Sequence, residues 1–487
     1  MGTRRQVRYE EYAAHGLPDE EEDGPARSVR SSGSIGKGAG PSKHSAAASH
    51  HQNDTYLNEF DDAYEDMMQK RGVKPPSSRD DEHVSTGISF RMAKVVKEQT
   101  VREQEVVGRS TEELTGDWLS GPQSPEGTVH AVSAQPVMCM SLSADNREVV
   151  VGSSDHALYT IPLSSGGSRA GRSLSTACRP RTLYTKKFGH TEWVTCSTYL
   201  PDNRIVSGGM DSKLCLWDAT GVKCEDLVGH SGSVTLVKSL TDELLLSASY
   251  DKTVRVWNVN RKASSRQREV SSIKVGMGPI LDASVLATSS SHCVMTGDRD
   301  GSVQFVDLDE GKITRKIASA HKGHATSVLA SQFDESTLCF SGGQDGIVRV
   351  WDLRQKGSTP AHSLELHIDR KSGKAGAVGF LKETLDDRNV LITGGADGTV
   401  KVLDKRKSFK TLFTFAEHMD FIYSLHVRGQ LCFSGAGNGM LHVHDWKTGK
   451  LLYGLGANKA AVRAVETTPT QLIAAGDDGG VIIYDMQ

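Results

Sequence analysis

The stretch GHTEWVTCSTYLPDNRIVSGGMDSKLCLWD, residues 189–218, carries Gly189-His190, Ser207, Asp211 and Trp217-Asp218 at spacings that return along the chain. A second copy has His230, Ser247, Asp251 and Trp257, and a third has His324, Ser341, Asp345 and Trp351. In all three, His to Asp is 21 positions and Asp to Trp is 6. One match would be weak, but three at identical spacing are hard to obtain by chance. The chain reads as a repeat protein.

Aligning on the turn Asp extends the pattern to Asp155, Asp211, Asp251, Asp300, Asp345, Asp397, Asn438 and Asp478, eight units in all. A β-rich run precedes each turn (RIVSGG, LLLSAS, VLITGG) and a second follows it (KLCLWD, VRVWNV, VKVLDK). Gly, Asp and Asn between two such runs are tight-turn residues. With one further strand on each side, every unit supplies four strands, and a period of about 40 to 45 residues with that content marks a β-propeller blade. The last unit ends at Tyr484-Asp485-Met486-Gln487 without an outer strand, while a surplus strand, Thr128-VHAVS-Ala134, precedes the first. Pairing the two closes the ring and removes two sheet edges. The expected fold is all-β, a closed propeller of eight four-stranded blades over 126–487. Seven is the alternative if unit one packs differently.

Residues 1–125 are polar and read as a low-complexity, largely disordered arm, most clearly from Ser28 to His51. Two helical islands interrupt it, at 54–70 and 89–105. In the first, Leu57, Phe60, Tyr64 and Met67 or Met68 recur at helical spacing behind an Asp54 N-cap. Each island reads either as a helix packed on the ring or as a partner motif that folds on docking.

Composition narrows the function classes. The net charge of −3 and pI near 6.7 give no electrostatic reason to expect nucleic acid. No run approaches the 18 apolar residues of a membrane span, and no secretory signal core is present. Gly2 invites myristoylation, but Gln6 stands where Ser or Thr is wanted. The eight cysteines form no C-x-x-C pair. Cys139, Cys196, Cys215, Cys339 and Cys432 read as buried hydrophobes, which suits a reducing setting, cytoplasm or nucleus. No metal, cofactor or small-molecule substrate is expected.

Residues 128–487 closely resemble the WD-repeat family. The resemblance implies that the turn Asp accepts hydrogen bonds from the His and the strand Ser, and that the His bonds the Ser, which bonds the Trp indole. A Ser–His–Asp set suggests hydrolysis, but it recurs in separate blades, ends each time in a structural Trp, and lacks a Gly-x-Ser-x-Gly elbow. No enzymatic activity is expected. Other units depart from the pattern: Thr296, Asp300 and Val306; Thr393, Asp397 and Leu403; His418, Ser434, Asn438 and His444; and Val151 and Ala474 at the Ser position. Blades two, three and five, which keep the full set, are expected to be the most rigid.

In this family partner contacts gather on the face built from the turns between second and third strands and the loops entering first strands. Met210, Tyr250, Arg299 and Gln344 precede turn Asp positions, and Trp193 and Phe421 precede first strands. These six are the candidate partner-binding residues, with Trp193 read either as an exposed anchor or as packing on the next blade. Basic insertions at 164–181 and 367–375 read as solvated loops or as docking elements for an acidic partner. Trp351-Asp352-Leu353-Arg354 has the form of the box by which WD-repeat substrate receptors dock to cullin-RING ubiquitin ligases, and Leu403-Asp404-Lys405-Arg406 matches it without the Trp. The expected function is a non-enzymatic scaffold that assembles a multiprotein complex through the loop face and the arm, where Leu57, Phe60, Tyr64 and Met67 form the motif. The alternative is a ligase substrate receptor using Trp351, Asp352 and Arg354. A G-protein β-subunit is disfavoured because the arm lacks a sustained heptad.

Overall fold

The computed structural model describes Leu114 and residues 116–486, apart from 164–179, 288–291, 334–336, 369–373 and positions 186, 219, 222, 277 and 332. The expected arm islands, with Leu57, Phe60, Tyr64 and Met67, lie outside the described residues. So do most of the insertion at 164–181 and the centre of that at 367–375.

Among the described residues, thirty-two strands form eight four-stranded antiparallel sheets. Seven sheets take four consecutive strands. The eighth takes the last three, ending in β32 (Gly480–Asp485), and is completed by β1 (Thr128–Ala131). Thr128 pairs with Ile483 and Ala131 with Gly480. The first strand of each sheet contacts that of the next, and the eighth contacts the first, so the ring is closed. Unit one forms a complete blade. The protein is an eight-bladed β-propeller.

The core lies in the crevices between blades. Eight apolar clusters fill the eight crevices, including one that joins Ile473 and Val481 of the last blade to Val137 and Val149 of the first. The sheets approach closely enough to demand glycine. A Cβ on Gly208 would lie 2.6 Å from Val234, and one on Gly342 the same distance from Val378. Each innermost strand also carries a one-residue register shift near its start, as between Val194 and Cys196 or Val378 and Phe380. A shift of this kind bends and twists the strand locally. Before the ring, the short helix α1 (Asp117–Ser120) buries Trp118 against Phe433, ring centroids 6.1 Å apart, with the Arg428 guanidinium 4.7 Å from its ring.

Three blades carry the full side-chain network. In blade two, His190 Nδ1 lies 3.0 Å from Asp211 and Nε2 lies 2.8 Å from Ser207, whose oxygen accepts from Trp217 Nε1 at 3.0 Å. Blade three repeats it with His230, Asp251, Ser247 and Trp257. Burial alone would raise the Asp251 carboxyl, but the bond and charge of His230, with Thr253 and the Ser231 N–H, bring it down to about 2.

Blade five corrects the sequence alignment. The imidazole that meets Asp345 at 3.0 Å and Ser341 at 2.7 Å is His321, not His324. His324 turns its Nδ1 to the Arg299 carbonyl of blade four, 2.5 Å away. Gly323, at φ 82, reverses the chain between the two histidines and sends the first one inward. Blade four needs a similar correction. Its buried turn carboxylate is Asp298, which accepts the N–H groups of Asp300 and Ser302 and the Gln304 amide, while Asp300 is exposed. Burial raises the Asp298 carboxyl, and no imidazole bonds it to offset the rise.

The remaining blades substitute part for part. His367 reaches Asp397 at 2.9 Å and Thr393 at 2.9 Å, across a separation of 30 residues that hid it from the spacing. In blade one Ser133 takes the place of His, donating to Asp155 at 2.6 Å, and in blade eight Asn458 donates to Asp478 at 2.8 Å. Blade seven differs in kind. His418 bonds Ser434 at 2.8 Å, but Asn438 has replaced the carboxylate, and His418 stacks on His442 with centroids 4.2 Å apart. His444, at the Trp position, bonds Glu417 at 3.1 Å. Burial, reinforced by the neighbouring imidazoles, lowers His418 to about 3 and His442 to about 4.

Three outcomes are expected. A chain beginning at residue 132 lacks β1, and should melt several degrees below one beginning at residue 114 and self-associate, read by calorimetry and light scattering. Ser341→Ala leaves the Trp351 N–H without its acceptor and His321 Nε2 without its hydroxyl partner, and should cost roughly 1–3 kcal/mol in urea unfolding. Thr393→Val, in a blade with Leu403 and no indole, should cost less. Finally, His418 and His442 titrate near pH 6.5 when unfolded and far lower when folded, so the unfolded chain binds more protons below that pH. Stability should fall as pH drops from about 6.5, by about 2 kcal/mol per histidine at pH 5. In His442→Phe the gap between denaturant curves at pH 7 and pH 5 should shrink by about half.

Candidate interaction face

The turns between second and third strands and the loops entering first strands form the upper face of the ring. Their positions are fixed from below: in blades two, three, five and eight the turn carboxylate holds its turn to the incoming loop. Thr191 N donates to Asp211 at 2.9 Å, Ser231 N to Asp251 at 3.0 Å, and Lys459 N to Asp478 at 2.8 Å. The catalytic resemblance ends here. Ser207, Ser247 and Ser341 are fully buried, and each hydroxyl oxygen is occupied by an indole N–H and an imidazole. No substrate atom has room to reach them.

The six face residues separate on inspection. Met210 is 2% exposed and Tyr250 4%, so both pack inward and offer little surface. Trp193, Arg299, Gln344 and Phe421 are half-buried. Gln344 accepts the His324 N–H through its side chain at 3.2 Å. Phe421 stands in a larger aromatic group. Its ring lies 6.5 Å from Tyr423, which in turn lies under the Arg463 guanidinium at 4.7 Å. Arg463 is held to Asp477 by two bonds of 2.6 and 2.9 Å. This ledge crosses from blade seven to blade eight at the upper rim.

Beside Phe421 stands Met419, 96% exposed, which sequence reasoning missed. Its neighbour His418 is drawn into the blade, so the loop turns the next side chain out. The only signal was its position one residue after a network histidine. The central channel adds charge of both signs: Lys238, Asp282, Lys382 and Glu466 all stand on innermost strands. Burial raises Asp282 and lowers Lys238, and burial, opposed by the charge of Lys382, leaves Glu466 near 6.

The lower face carries the boxes. Trp351 is buried in the crevice between blades four and five, and Asp352 is buried below it. Asp352 holds the Arg354 guanidinium at 3.0 and 2.7 Å, yet that side chain remains 74% exposed. Blade six repeats the device: Arg406 bonds Asp404 at 3.1 and 3.2 Å and is 63% exposed. Two adjacent blades thus present oriented guanidiniums. The hydrogen bonds and charge of Arg354 hold Asp352 down to about 2.

No helix among the described residues is long and apolar enough to cross a membrane. The family model for the WD domain, G-beta repeat, matches residues 181–218, 221–258 and 315–352, the three repeats that keep the Trp. The chain is 23% identical over 324 residues to the WD repeat domain-containing protein 83 homolog of Dictyostelium discoideum, 53% of this chain and 96% of that protein. It is 25% identical over 240 residues to the ribosome biogenesis protein WDR12 homolog of Drosophila pseudoobscura pseudoobscura, 45% of this chain. Of that second relative it spans about half, 53%. Among solved structures, Saccharomyces cerevisiae Sqt1 superposes with a TM-score of 0.62 at 13% identity, covering 74% of this chain and 99% of that one. Chaetomium thermophilum Sqt1, bound to the N-terminus of the ribosomal protein L10, gives 0.61 at 16%, with the same coverage. These likenesses at low identity speak to the fold. Its matched repeats, turn networks and ring of four-stranded blades make the chain an eight-bladed β-propeller that carries WD repeats.

Proposed function

We propose that this protein is a non-enzymatic scaffold that holds protein partners on its upper face, centred on blades seven and eight, as part of a multiprotein assembly in the cytoplasm or nucleus. The observation that carries this reading is the ledge of Phe421, Tyr423 and Arg463 with Met419 standing free beside it. Aromatic residues, Met and Arg are enriched at interfaces, and an anchor on a rigid mount loses little entropy on binding. Trp193 is a secondary contact on blade two. Met210 and Tyr250 support the face from within. The N-terminal arm, with Leu57, Phe60, Tyr64 and Met67, is a second binding element. Relatives named for ribosome biogenesis, and a solved propeller holding a ribosomal protein segment, support protein binding as the use of this fold.

A second reading is favoured by one observation on the opposite face. Arg354 and Arg406 are exposed, oriented and on neighbouring blades, as a docking surface for a ubiquitin ligase would require.

Affinity purification with mass spectrometry separates the two. Met419→Asp with Phe421→Ala should release most partners while leaving the melting temperature unchanged, since hot-spot losses of about 2 kcal/mol weaken binding roughly 30-fold. Arg354→Ala with Arg406→Ala should leave the partners in place. Selective loss of cullin-RING components in that second variant would instead establish the ligase reading.

A further inference from the structure

We propose that Cys215, Cys224 and Asp226 form a three-ligand site for a thiophilic divalent cation of the Zn²⁺ class on the outer flank of blade two. Cys215 lies on the third strand, Lys213–Trp217, and the other two residues on the fourth, Cys224–Val228. Cys215 stands opposite Asp226 and Trp217 opposite Cys224, so period-two alternation puts all three side chains on one face. That placement depends on a regular ladder. Blades three, four, six and seven carry a bulge between their third and fourth strands, and blade two does not. A bulge there would break the two-residue step from Asp226 to Cys224.

The donor atoms fit an ion. All three lie within 4.8 Å of one another, and Cys215 Sγ and Cys224 Sγ approach the same Asp226 oxygen at 3.6 and 3.7 Å. A tetrahedral Zn²⁺ with bonds of about 2.3 Å to sulfur and about 2.0–2.2 Å to oxygen spaces its donors by roughly 3.5–3.8 Å. Little movement is needed. A disulfide fits less well, because diagonal cross-strand neighbours stand about 7–8 Å apart, beyond the usual Cα separation of about 4.4–6.8 Å.

Charge agrees as well. Two thiolates and the Asp226 carboxylate carry three negative charges, and Lys213, bonded to the other Asp226 oxygen at 2.8 Å, returns one positive charge. The balance of two negative charges matches a divalent ion, and binding releases the two thiol protons. Cys215 is buried, Cys224 half-buried and the Asp226 side chain 43% exposed, so the fourth coordination position faces solvent. Spacing rules missed the site because its cysteines are joined through a strand hairpin rather than a knuckle.

The test titrates Co²⁺ into the full, reduced, chelator-treated chain. Expected are a thiolate-to-cobalt charge-transfer band and tetrahedral d–d bands that saturate at one ion per chain and vanish on adding Zn²⁺. Cys224→Ser, at the half-buried position, should abolish the band with its circular dichroism and melting unchanged. Asp226→Asn should keep the band but need on the order of tenfold more Co²⁺. Absence of the band in the native chain, or an undiminished band in Cys224→Ser, overturns the proposal. So does recovery of a Cys215–Cys224 disulfide from the chain purified without reductant.

Discussion

A buried imidazole that ties a turn carboxylate to a strand hydroxyl sets the geometry on which the rest of this molecule depends. One His bonds three structural levels at once: the turn above, the second strand, and through the hydroxyl the Trp of the third strand. Each partner in that chain is out of water, so a missing member leaves a neighbour orphaned. This explains how the pattern decays. Where Trp is gone, as at Leu403, the Thr393 hydroxyl still serves His367. Where His is gone, Ser133 or Asn458 supplies the donor that the carboxylate requires. In these blades a lost member is replaced or leaves no donor without an acceptor, and the turn stays where it is.

The second constraint is closure. Each blade packs only on its two neighbours, so a repeat array left open would expose a crevice and a sheet edge at each end. Here the last sheet borrows its outer strand from the start of the chain. A strand of four residues thereby couples the two ends of the ring, and Trp118 reinforces the joint from below against Phe433. The eighth sheet has its fourth strand only when that first segment is placed.

The architecture was readable because it rests on short-range chemistry repeated many times. Turn residues, strand runs and the surplus strand at Thr128 all report local conformation, and all eight blades stand where they place them. Side-chain identity within a loop was not readable from spacing. His321 and His324 differ only in which side of Gly323 they occupy, and the left-handed glycine decides which one enters the blade. Asp298 displaced Asp300 for a like reason, since a Gln304 amide and two backbone N–H groups favour the inner carboxylate. The face was read least well. Met210 and Tyr250 occupy the expected positions in the chain yet pack inward, because the residue before the turn is shielded by the neighbouring loop as often as it is offered to solvent.

Departures from the repeat carry the argument about function further than the repeat does. In blades two, three and five every member of the His–Asp–Ser–Trp network is hydrogen-bonded, so those side chains are committed to holding the ring. Blade seven has exchanged its carboxylate for Asn438 and its indole for His444, and burial holds His418 and His442 neutral in a crowded interior. Their Nδ1 atoms have no hydrogen-bond partner among the described residues. A blade with a weakened internal network is a poor place to gain stability. It is also where the loop releases Met419 to solvent, beside aromatic and guanidinium groups that continue into blade eight. The regular blades commit their polar groups to the frame, and blade seven, packed on both neighbours, presents the surface.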